Sequence, residues 1–266
     1  MDLQLNGKVA LIAGGSRGIG KAIATQLAQE GADIVVAART KDRLDAAVAE
    51  IAGNTGRKVI GIVVNTGGDA SVKAMGEQAI AAMGHVDILV NAAAEPGGYA
   101  PVPSLADVTG EFVDEEINIK VKGYLRCAQA VVPSMKASGW GRIVNISGLA
   151  ARQTGNIVGS LRNVAVSSLS KNLADELGPF GINVTCVHPG ATFTERTMPA
   201  MEERAKRQNS TPDELLKRVA DNNSIKHMVT AEEVAHVVTF LCSPLSIAIN
   251  GDTIAAGGGV PRAIYY

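Results

Sequence analysis

The amino-acid sequence predicts an α/β fold, a single domain in which a doubly wound parallel sheet carries helices on both faces. Short apolar runs of strand length alternate with stretches of helical periodicity to near the C-terminus. The runs are apolar at successive positions, which is typical of parallel strands buried on both sides. No internal repeat, linker or low-complexity segment interrupts the chain, so residues 1–266 are predicted to form one domain.

The predicted strands and helices follow one another in regular order. The strands cover 9–13, 33–37, 59–64, 85–90, 142–146 and 183–187. The helices cover 19–31, 44–53, 72–83, about 111–135 and about 160–177. Gly31 and Gly53 are predicted to end the first two helices, and Ser160 to cap the start of the last one.

Residues 195–227 differ in composition from the rest of the chain. The segment is charged, and Pro199 and Pro212 divide it into short helical pieces. We interpret a stretch of about 191–228 as a mobile flap that sets the substrate, since binding residues concentrate on such connections. Its apolar side chains, Met201 and Leu215 among them, are predicted either to contact the substrate or to pack the flap itself.

A glycine-rich turn joins the first strand to the first helix and reads Ala13-Gly14-Gly15-Ser16-Arg17-Gly18-Ile19-Gly20. Glycines allow backbone N–H groups to approach a phosphate, and the positive end of the helix dipole favours an anion. A second strand follows at the distance of a βαβ unit, which favours a dinucleotide-binding turn over an ordinary tight turn. The predicted fold is therefore Rossmann-like. The predicted phosphate contacts are Gly14, Ser16, Arg17, Gly18, Ile19 and Gly20.

Composition argues against several other classes of function. The formal net charge of −1 and an aromatic content of 3% give no electrostatic or stacking surface for nucleic acid. No apolar run approaches the ~20 residues of a membrane span, and no basic-then-apolar leader precedes the first strand. Cys127, Cys186 and Cys242 lack disulfide or metal spacing. We expect a cytoplasmic protein with reduced thiols, without metal, nucleic-acid or membrane partners.

Further motifs follow the later strands. Asn91-Ala92-Ala93-Ala94 comes after the fourth strand, and Pro189-Gly190 after the sixth. Together with the glycine turn, these motifs resemble those of the short-chain dehydrogenase/reductase family over nearly the whole chain. The resemblance implies a small-molecule substrate, and a homodimer or homotetramer formed through the helices at about 111–135 and 160–177. It also implies coenzyme contacts at Asn91, Ala92, Ala93, Pro189, Gly190, Thr192 and Thr194.

The end of the second strand bears on which nicotinamide coenzyme is bound. An NAD site places a carboxylate there to accept from the ribose 2′-OH, but this chain reads Ala37-Ala38-Arg39. Arg39 and Arg17 could together hold a 2′-phosphate by charge-assisted hydrogen bonds. The sequence therefore favours NADP over NAD. Asn65 stands where the family sets an aspartate against the adenine, and its amide can still hydrogen-bond there.

The catalytic positions depart from the family pattern. The family uses a tyrosine as proton shuttle, a lysine four residues later, a serine and an asparagine. Aligned from Lys171-Asn172-Leu173, this chain has Gly159 at the tyrosine and Asn163 at the lysine, and no Tyr-x-x-x-Lys occurs anywhere. Lys120 falls at the asparagine position, and the serine position falls at Ser147 or Gly148.

Lys120 and Asn163 therefore appear exchanged relative to the family. In the family the two helices that carry these positions pack side by side. We hypothesise that Lys120 reaches the nicotinamide ribose and active-site water from the opposite wall, while Asn163 hydrogen-bonds the ribose. The alternative is that Lys120 is a solvated helix lysine and Asn163 an ordinary polar residue early in its helix.

The proton donor is left open by the sequence. Ser147 has a hydroxyl without an evident base, and His188 precedes Pro189-Gly190 near the cleft. Tyr99 lies in a glycine- and proline-rich loop that could reach the site, and a desolvated Lys120 would have a lowered pKa. The predicted catalytic set is Ser147, Lys120 and Asn163.

Three functions fit these observations. The first is an NADP(H)-dependent oxidoreductase that transfers hydride between nicotinamide and a carbonyl or alcohol, with an atypical proton relay. The second is a catalytically impaired nucleotide-binding protein, a sensor or assembly subunit, which the missing tyrosine favours. The third is a lyase or isomerase that uses the cleft without net redox. The phosphate turn, Thr192, Thr194 and the flap favour the first.

Overall fold

Seven parallel strands form one sheet in the computed structural model, which describes residues 1–94, 102–261 and 264. The strands are β1 (Val9–Ala13), β2 (Asp33–Ala38), β3 (Val59–Val63), β4 (Ile88–Asn91), β5 (Gly141–Ile146), β6 (Ile182–Pro189) and β7 (Thr253–Ala256). Their order across the sheet is β3-β2-β1-β4-β5-β6-β7. The predicted doubly wound parallel sheet with a Rossmann-like order is confirmed.

Helices cover both faces of this sheet. They are α1 (Gly18–Gln29), α2 (Lys41–Thr55), α3 (Asp69–Met83), α4 (Gly110–Glu116), α5 (Gly123–Ser138), α6 (Ile157–Leu177), α7 (Thr197–Gln208), α8 (Pro212–Asp221) and α9 (Ala231–Cys242). Successive strand residues point to opposite faces, so Ile12 joins the core beneath α1 and α9 while Leu11 joins the core beneath α3 and α5. This explains why the strands are apolar at every position.

The order of the strands reverses between β1 and β4, because β2 and β3 lie on one side of β1 and the later strands on the other. The two strands pair in parallel with Ala13 opposite Asn91, so their carboxyl ends meet at one edge of the sheet. In doubly wound folds the crevice beyond that edge is where ligands bind. The glycine turn after β1 and the segment after β4 both enter this crevice.

Several predicted boundaries differ from the structure. The seventh strand was not predicted, because Thr253–Ala256 is only four residues long and partly exposed. Ser160 lies inside α6 and is not its cap; the Asn156 side chain caps this helix by accepting from the Gly159 N–H at 2.8 Å. The predicted stop at Gly53 is also wrong, because α2 continues to Thr55 and ends at Gly56, whose φ is +67°.

The predicted long helix at 111–135 is interrupted by a wider turn. Residues Ile117–Lys122 form a π-helical segment between α4 and α5. An extra residue in one helical turn redirects the side chains that follow, and such segments often occur at functional sites. The Asn118 side chain donates to Gly67 O at 3.2 Å, whereas Lys120 in the same segment is 4% exposed and faces the sheet crevice.

The predicted flap consists of helices α7 and α8. Its two ends are joined, because Phe193 N donates to Val229 O at 2.8 Å and Phe193 forms a parallel bridge with Thr230. Met201 and Leu215 are buried against each other's helices in a small apolar cluster of their own. Of the two predicted roles for these side chains, packing within the flap is the one that the structure supports.

Two further features concern the molecule as a whole. Among the described residues, no helix combines the length and apolar character needed to cross a bilayer. Cys127, Cys186 and Cys242 are buried free thiols.

The two glycines at the end of α2 provide a test of its boundary. A Cβ added at Gly53 or at Gly56 would meet no atom within 4 Å, so only backbone conformation distinguishes them. Gly53→Ala is expected to stabilise the protein by about 0.5–1 kcal/mol, because alanine costs less entropy in a helix interior. Gly56→Ala is expected to destabilise it by ~1 kcal/mol, because alanine is strained at positive φ. Urea unfolding of both variants measures the difference, and equal effects would contradict this boundary.

Candidate functional site

A cavity of about 930 Å³ lies beyond the carboxyl ends of the strands. Among the predicted site residues, the structure brings to its wall Gly14, Ser16, Arg17, Gly18, Ile19, Gly20, Arg39, Ala92, Ala93, Lys120, Ser147, Asn163, Pro189, Gly190, Thr192 and Thr194. They come from loops and helix ends after β1, β2, β4, β5 and β6. The volume lies within the range of small-molecule and cofactor sites.

The glycine turn forms one wall of the cavity through its backbone. A Cβ at Gly14 would lie 2.6 Å from Ala93 N, and a Cβ at Gly20 would lie 2.2 Å from Gly14 O. Gly14 and Gly18 also have positive φ, +86° and +54°. Side chains are thus excluded where the turn meets β4 and α1, and the surface presented is peptide groups at a helix N-terminus. Such a surface fits the diphosphate of a dinucleotide.

Cationic side chains line much of the cavity. They are Arg17, Arg39, Arg43, Lys120, Arg162 and Arg196. Among the described residues, Glu195 is the one carboxylate in the lining. The cavity is therefore electropositive, which favours an anionic ligand.

Lys120 forms the centre of a buried hydrogen-bonded cluster. Its Nζ donates to Ser147 O at 2.9 Å and to Asn163 Oδ1 at 2.8 Å. The Ser147 hydroxyl donates to Asn163 O at 2.9 Å. The three residues predicted for proton chemistry therefore lie together on the cavity wall. The reading of Lys120 as a solvated lysine is wrong, because it is 4% exposed.

Burial determines the protonation of this cluster. Desolvation lowers the pKa of Lys120 to about 8, an effect that the neighbouring Cys186 only partly opposes. Desolvation raises the pKa of Tyr124 and of Cys186, and it lowers the pKa of His188 to about 4, with Arg152 and Lys120 contributing. Tyr124, Cys186 and His188 are therefore uncharged at pH 7. In the described part of the cluster, Lys120 alone changes charge near neutral pH.

His188 is poorly placed to donate the missing proton. It is 2% exposed, its Nε2 lies 3.0 Å from the Ser167 hydroxyl, and it does not belong to the described lining of the cavity. With a pKa of about 4 it is neutral at pH 7. Tyr99, another candidate named above, lies outside the described residues.

Asn91 and Asn65 do not belong to the described cavity lining. Asn91 is fully buried and its Nδ2 donates to Asn145 Oδ1 at 2.9 Å, which links β4 to β5. Asn65 closes a turn by accepting from the Gly67 N–H at 3.0 Å, while its neighbour Thr66 lines the cavity. Their predicted role as coenzyme contacts stays a prediction.

Gly159, which the alignment above predicts to stand at the tyrosine of the family, is closely packed. A Cβ at Gly159 would lie 2.8 Å from the Asn156 amide carbon, so the cap of α6 occupies the space beside this position. Replacing Gly159 by a larger residue requires Asn156 to move. A Cβ at Gly148 would lie 3.0 Å from Asn163 Nδ2, so the loop after β5 also packs tightly against the cluster.

The lining residues that sequence reasoning missed include the charged side chains of Arg43, Arg162 and Glu195. Arg43 lies in the first turn of α2, four positions after Arg39, and that spacing was a usable signal. Arg162 is buried and its Nη1 donates to the carboxylate of Glu116 on α4. Glu195 contacts the glycine turn across a sequence separation of 177 residues, for which the sequence holds no local signal.

The sheet order, the glycine wall and the electropositive crevice define a Rossmann-type dinucleotide-binding protein. Comparison with known proteins refines this class. A family model described as Enoyl-(Acyl carrier protein) reductase matches residues 13–261. Human dehydrogenase/reductase SDR family member 4 is 35% identical over 262 residues, which is 98% of this chain and 90% of the relative.

Two more proteins extend the comparison. The short-chain reductase protein NovJ of Streptomyces niveus is 32% identical over 95% of this chain and 94% of its own. L-Sorbose reductase from Gluconobacter frateurii, solved with NADPH and L-sorbose, superposes with a TM-score of 0.92 at 30% identity, covering 99% of this chain and 100% of that one. The chain belongs to the short-chain dehydrogenase/reductase family, a family of oxidoreductases.

Proposed function

We propose that this protein is an NADP(H)-dependent oxidoreductase that reduces a carbonyl group, or oxidises the corresponding alcohol, with Lys120 as proton donor and acceptor. The observation that carries the proposal is the buried Lys120 ammonium on the cavity wall, held by Ser147 and Asn163. Family membership and the NADPH in the L-sorbose reductase structure support the hydride chemistry.

The arrangement of Lys120 fits acid–base chemistry. Two of its N–H groups are used by the carbonyl oxygens of Ser147 and Asn163, so one position on Nζ is left for a ligand in the cavity. That position carries a proton in the ammonium form and a lone pair in the amine form. When bound, NADPH supplies the hydride for the carbonyl carbon. Lys120 delivers the proton to the carbonyl oxygen and takes one back from solvent afterwards.

The charged side chains that line the cavity after β2 bear on the choice between NADP and NAD. No carboxylate stands at the end of β2, where Ala38 is followed by Arg39. Arg17, Arg39 and Arg43 all line the same cavity. We infer that these arginines hold a 2′-phosphate, which favours NADP over NAD.

A second candidate is a nucleotide-binding protein without catalysis. Gly159 at the tyrosine position favours it, because the side chain that the family uses is absent. NADPH binding without consumption across a broad panel of carbonyl compounds would establish this second function.

We further propose a homo-oligomer, a dimer or tetramer, formed through α5 and α6. Their outer surfaces expose apolar side chains, with Leu161 at 52%, Val164 at 49% and Leu125 at 37%. Such side chains on adjacent helices are typical of a covered surface.

Lys120 can be tested by replacement with methionine, whose side chain is unbranched, one atom shorter and uncharged. Lys120→Met is expected to lower kcat for carbonyl reduction by ~10²–10⁴-fold, because the proton donor is lost, while the Kd for NADPH stays within about threefold of wild type. In the wild type, kcat/KM for reduction is expected to be level below pH 8 and to fall above it, since the pKa of Lys120 is about 8. The oxidation profile should show the reverse dependence. A reduction rate that is unchanged in Lys120→Met would contradict the proposal.

A stability measurement checks the pKa independently of activity. In the folded protein the pKa of Lys120 lies near 8, below its ordinary value of 10.5, so between these values the unfolded chain binds more protons. Stability of the wild type should therefore rise relative to Lys120→Met as the pH rises through this window, by on the order of 3 kcal/mol in total. Urea unfolding at pH 7.5 and pH 10.5 gives the difference, and a flat difference would contradict the buried-ammonium assignment.

Coenzyme preference can be tested at Arg39. Arg39→Ala is expected to raise the Kd for NADPH ~10-fold through the loss of a charge-assisted contact, and to change the Kd for NADH by less than about twofold. Arg207→Ala, which removes an exposed arginine of α7, controls for overall charge. Calorimetric titration of both coenzymes provides the measurement, and equal losses for NADPH and NADH would argue against a 2′-phosphate site.

Oligomeric state is tested by light scattering. The wild type is expected to give a multiple of the 27.5 kDa chain mass, and Leu161→Glu with Val164→Glu to give a smaller species, because buried charges would oppose the contact. Val63→Glu, at an exposed position of β3, is the matched control. A wild-type mass of one chain would exclude the oligomer.

A further inference from the structure

Glu195 occupies the mouth of helix α1. Its two carboxylate oxygens lie 3.1 and 3.2 Å from Gly18 N, where they accept a bifurcated hydrogen bond. Gly18 is the first residue of α1, and the N-cap Arg17 supplies no side-chain cap to this helix. A carboxylate is favoured at this position by the orphan N–H groups and the positive end of the helix dipole.

The same amide is part of the surface that fits a dinucleotide diphosphate. Gly18 lies in the glycine turn, and Glu195 and the turn line one cavity. The other charged groups of the described lining are all cations. Glu195 is therefore an internal anion in a site built for an anion, and a diphosphate and this carboxylate cannot both use the Gly18 N–H.

Glu195 also lies between the point where the two ends of the flap are joined and the first residue of α7. Phe193, two residues earlier, is fixed to Val229 and Thr230, and α7 begins at Thr197, two residues later. The small apolar cluster of α7 and α8 is separate from the two cores beneath the sheet. The contact of Glu195 with Gly18 thus joins the start of the α7–α8 flap to the glycine turn.

We propose that Glu195 is a latch that competes with the coenzyme diphosphate for the mouth of α1 and couples coenzyme binding to release of the α7–α8 flap. The inference rests on the proposed function, because it takes the coenzyme as the competing anion. When the diphosphate binds the glycine turn, the Glu195 carboxylate leaves the Gly18 N–H. The α7–α8 flap then loses its contact with the turn.

Coenzyme titration of Glu195 variants tests the latch. Glu195→Gln keeps the size of the side chain and removes its charge, and Glu195→Ala removes the contact. Both are expected to bind NADPH about 2- to 10-fold more tightly than wild type. The carboxylate that competes with the diphosphate is weakened or removed in these variants, and the range corresponds to the usual effect of a carboxylate at a helix N-terminus. Glu202→Gln makes the same charge change at an exposed position of α7, and its Kd should equal that of wild type.

A second measurement follows the flap without coenzyme. Limited trypsin digestion should cleave after the basic residues of α7 several-fold faster in Glu195→Ala than in Glu202→Ala. The flap of Glu195→Ala is no longer held by the glycine turn, so it opens locally more often. Thermal unfolding of each variant confirms that the proteins compared are folded. Faster cleavage together with tighter NADPH binding supports the latch.

The outcomes separate the latch from the proposed function. Wild-type or weaker NADPH affinity in both Glu195 variants, with the coenzyme still bound, overturns the latch alone. Binding that appears only in the Glu195 variants supports a latch that holds the site closed. If neither the wild type nor any variant binds NADPH or NADH, the proposed function is overturned, and the latch falls with it.

Discussion

The close approach of the glycine turn to the end of β4 is the constraint on which the rest of the site depends. A Cβ at Gly14 would lie within 2.7 Å of backbone atoms of Ala92 and Ala93, so the two segments touch through peptide groups. The contact is possible because β1 and β4 are neighbours whose carboxyl ends coincide. It fixes the N-terminus of α1 at the reversal of strand order, and every other element of the cavity is arranged around that point.

The sequence was most informative where one local pattern determines the structure. The apolar strands and the glycine turn are short-range signals, and the sheet that they predict was found. The end of α2 was misplaced because a glycine inside a helix and a glycine at its end look alike in sequence. They differ in backbone conformation, and that difference places the stop at Gly56 and not at Gly53.

The site was predictable only as far as alignment to a family could reach. That alignment put Lys120, Ser147 and Asn163 at related positions, and the structure brings them within hydrogen-bond distance. It could not give the π-helical segment that directs Lys120 inwards, because the width of a helical turn is set by tertiary packing. Contacts between residues distant in sequence, such as Glu195 with Gly18, leave no trace in local patterns.

The lysine cluster also shows how its hydrogen-bond partners set the protonation of a buried lysine. A buried ammonium needs acceptors but tolerates neutral ones, and here two carbonyl oxygens serve. A carboxylate at the same distance would keep the proton on the lysine and hold its pKa high, whereas neutral acceptors leave desolvation unopposed and bring the pKa to about 8. The absence of a carboxylate partner among the described neighbours of Lys120 is therefore what makes it suited to give and take a proton near neutral pH. The thiol of Cys186 and the imidazole of His188 stay uncharged there, so Lys120 is the group of the described cluster that changes charge.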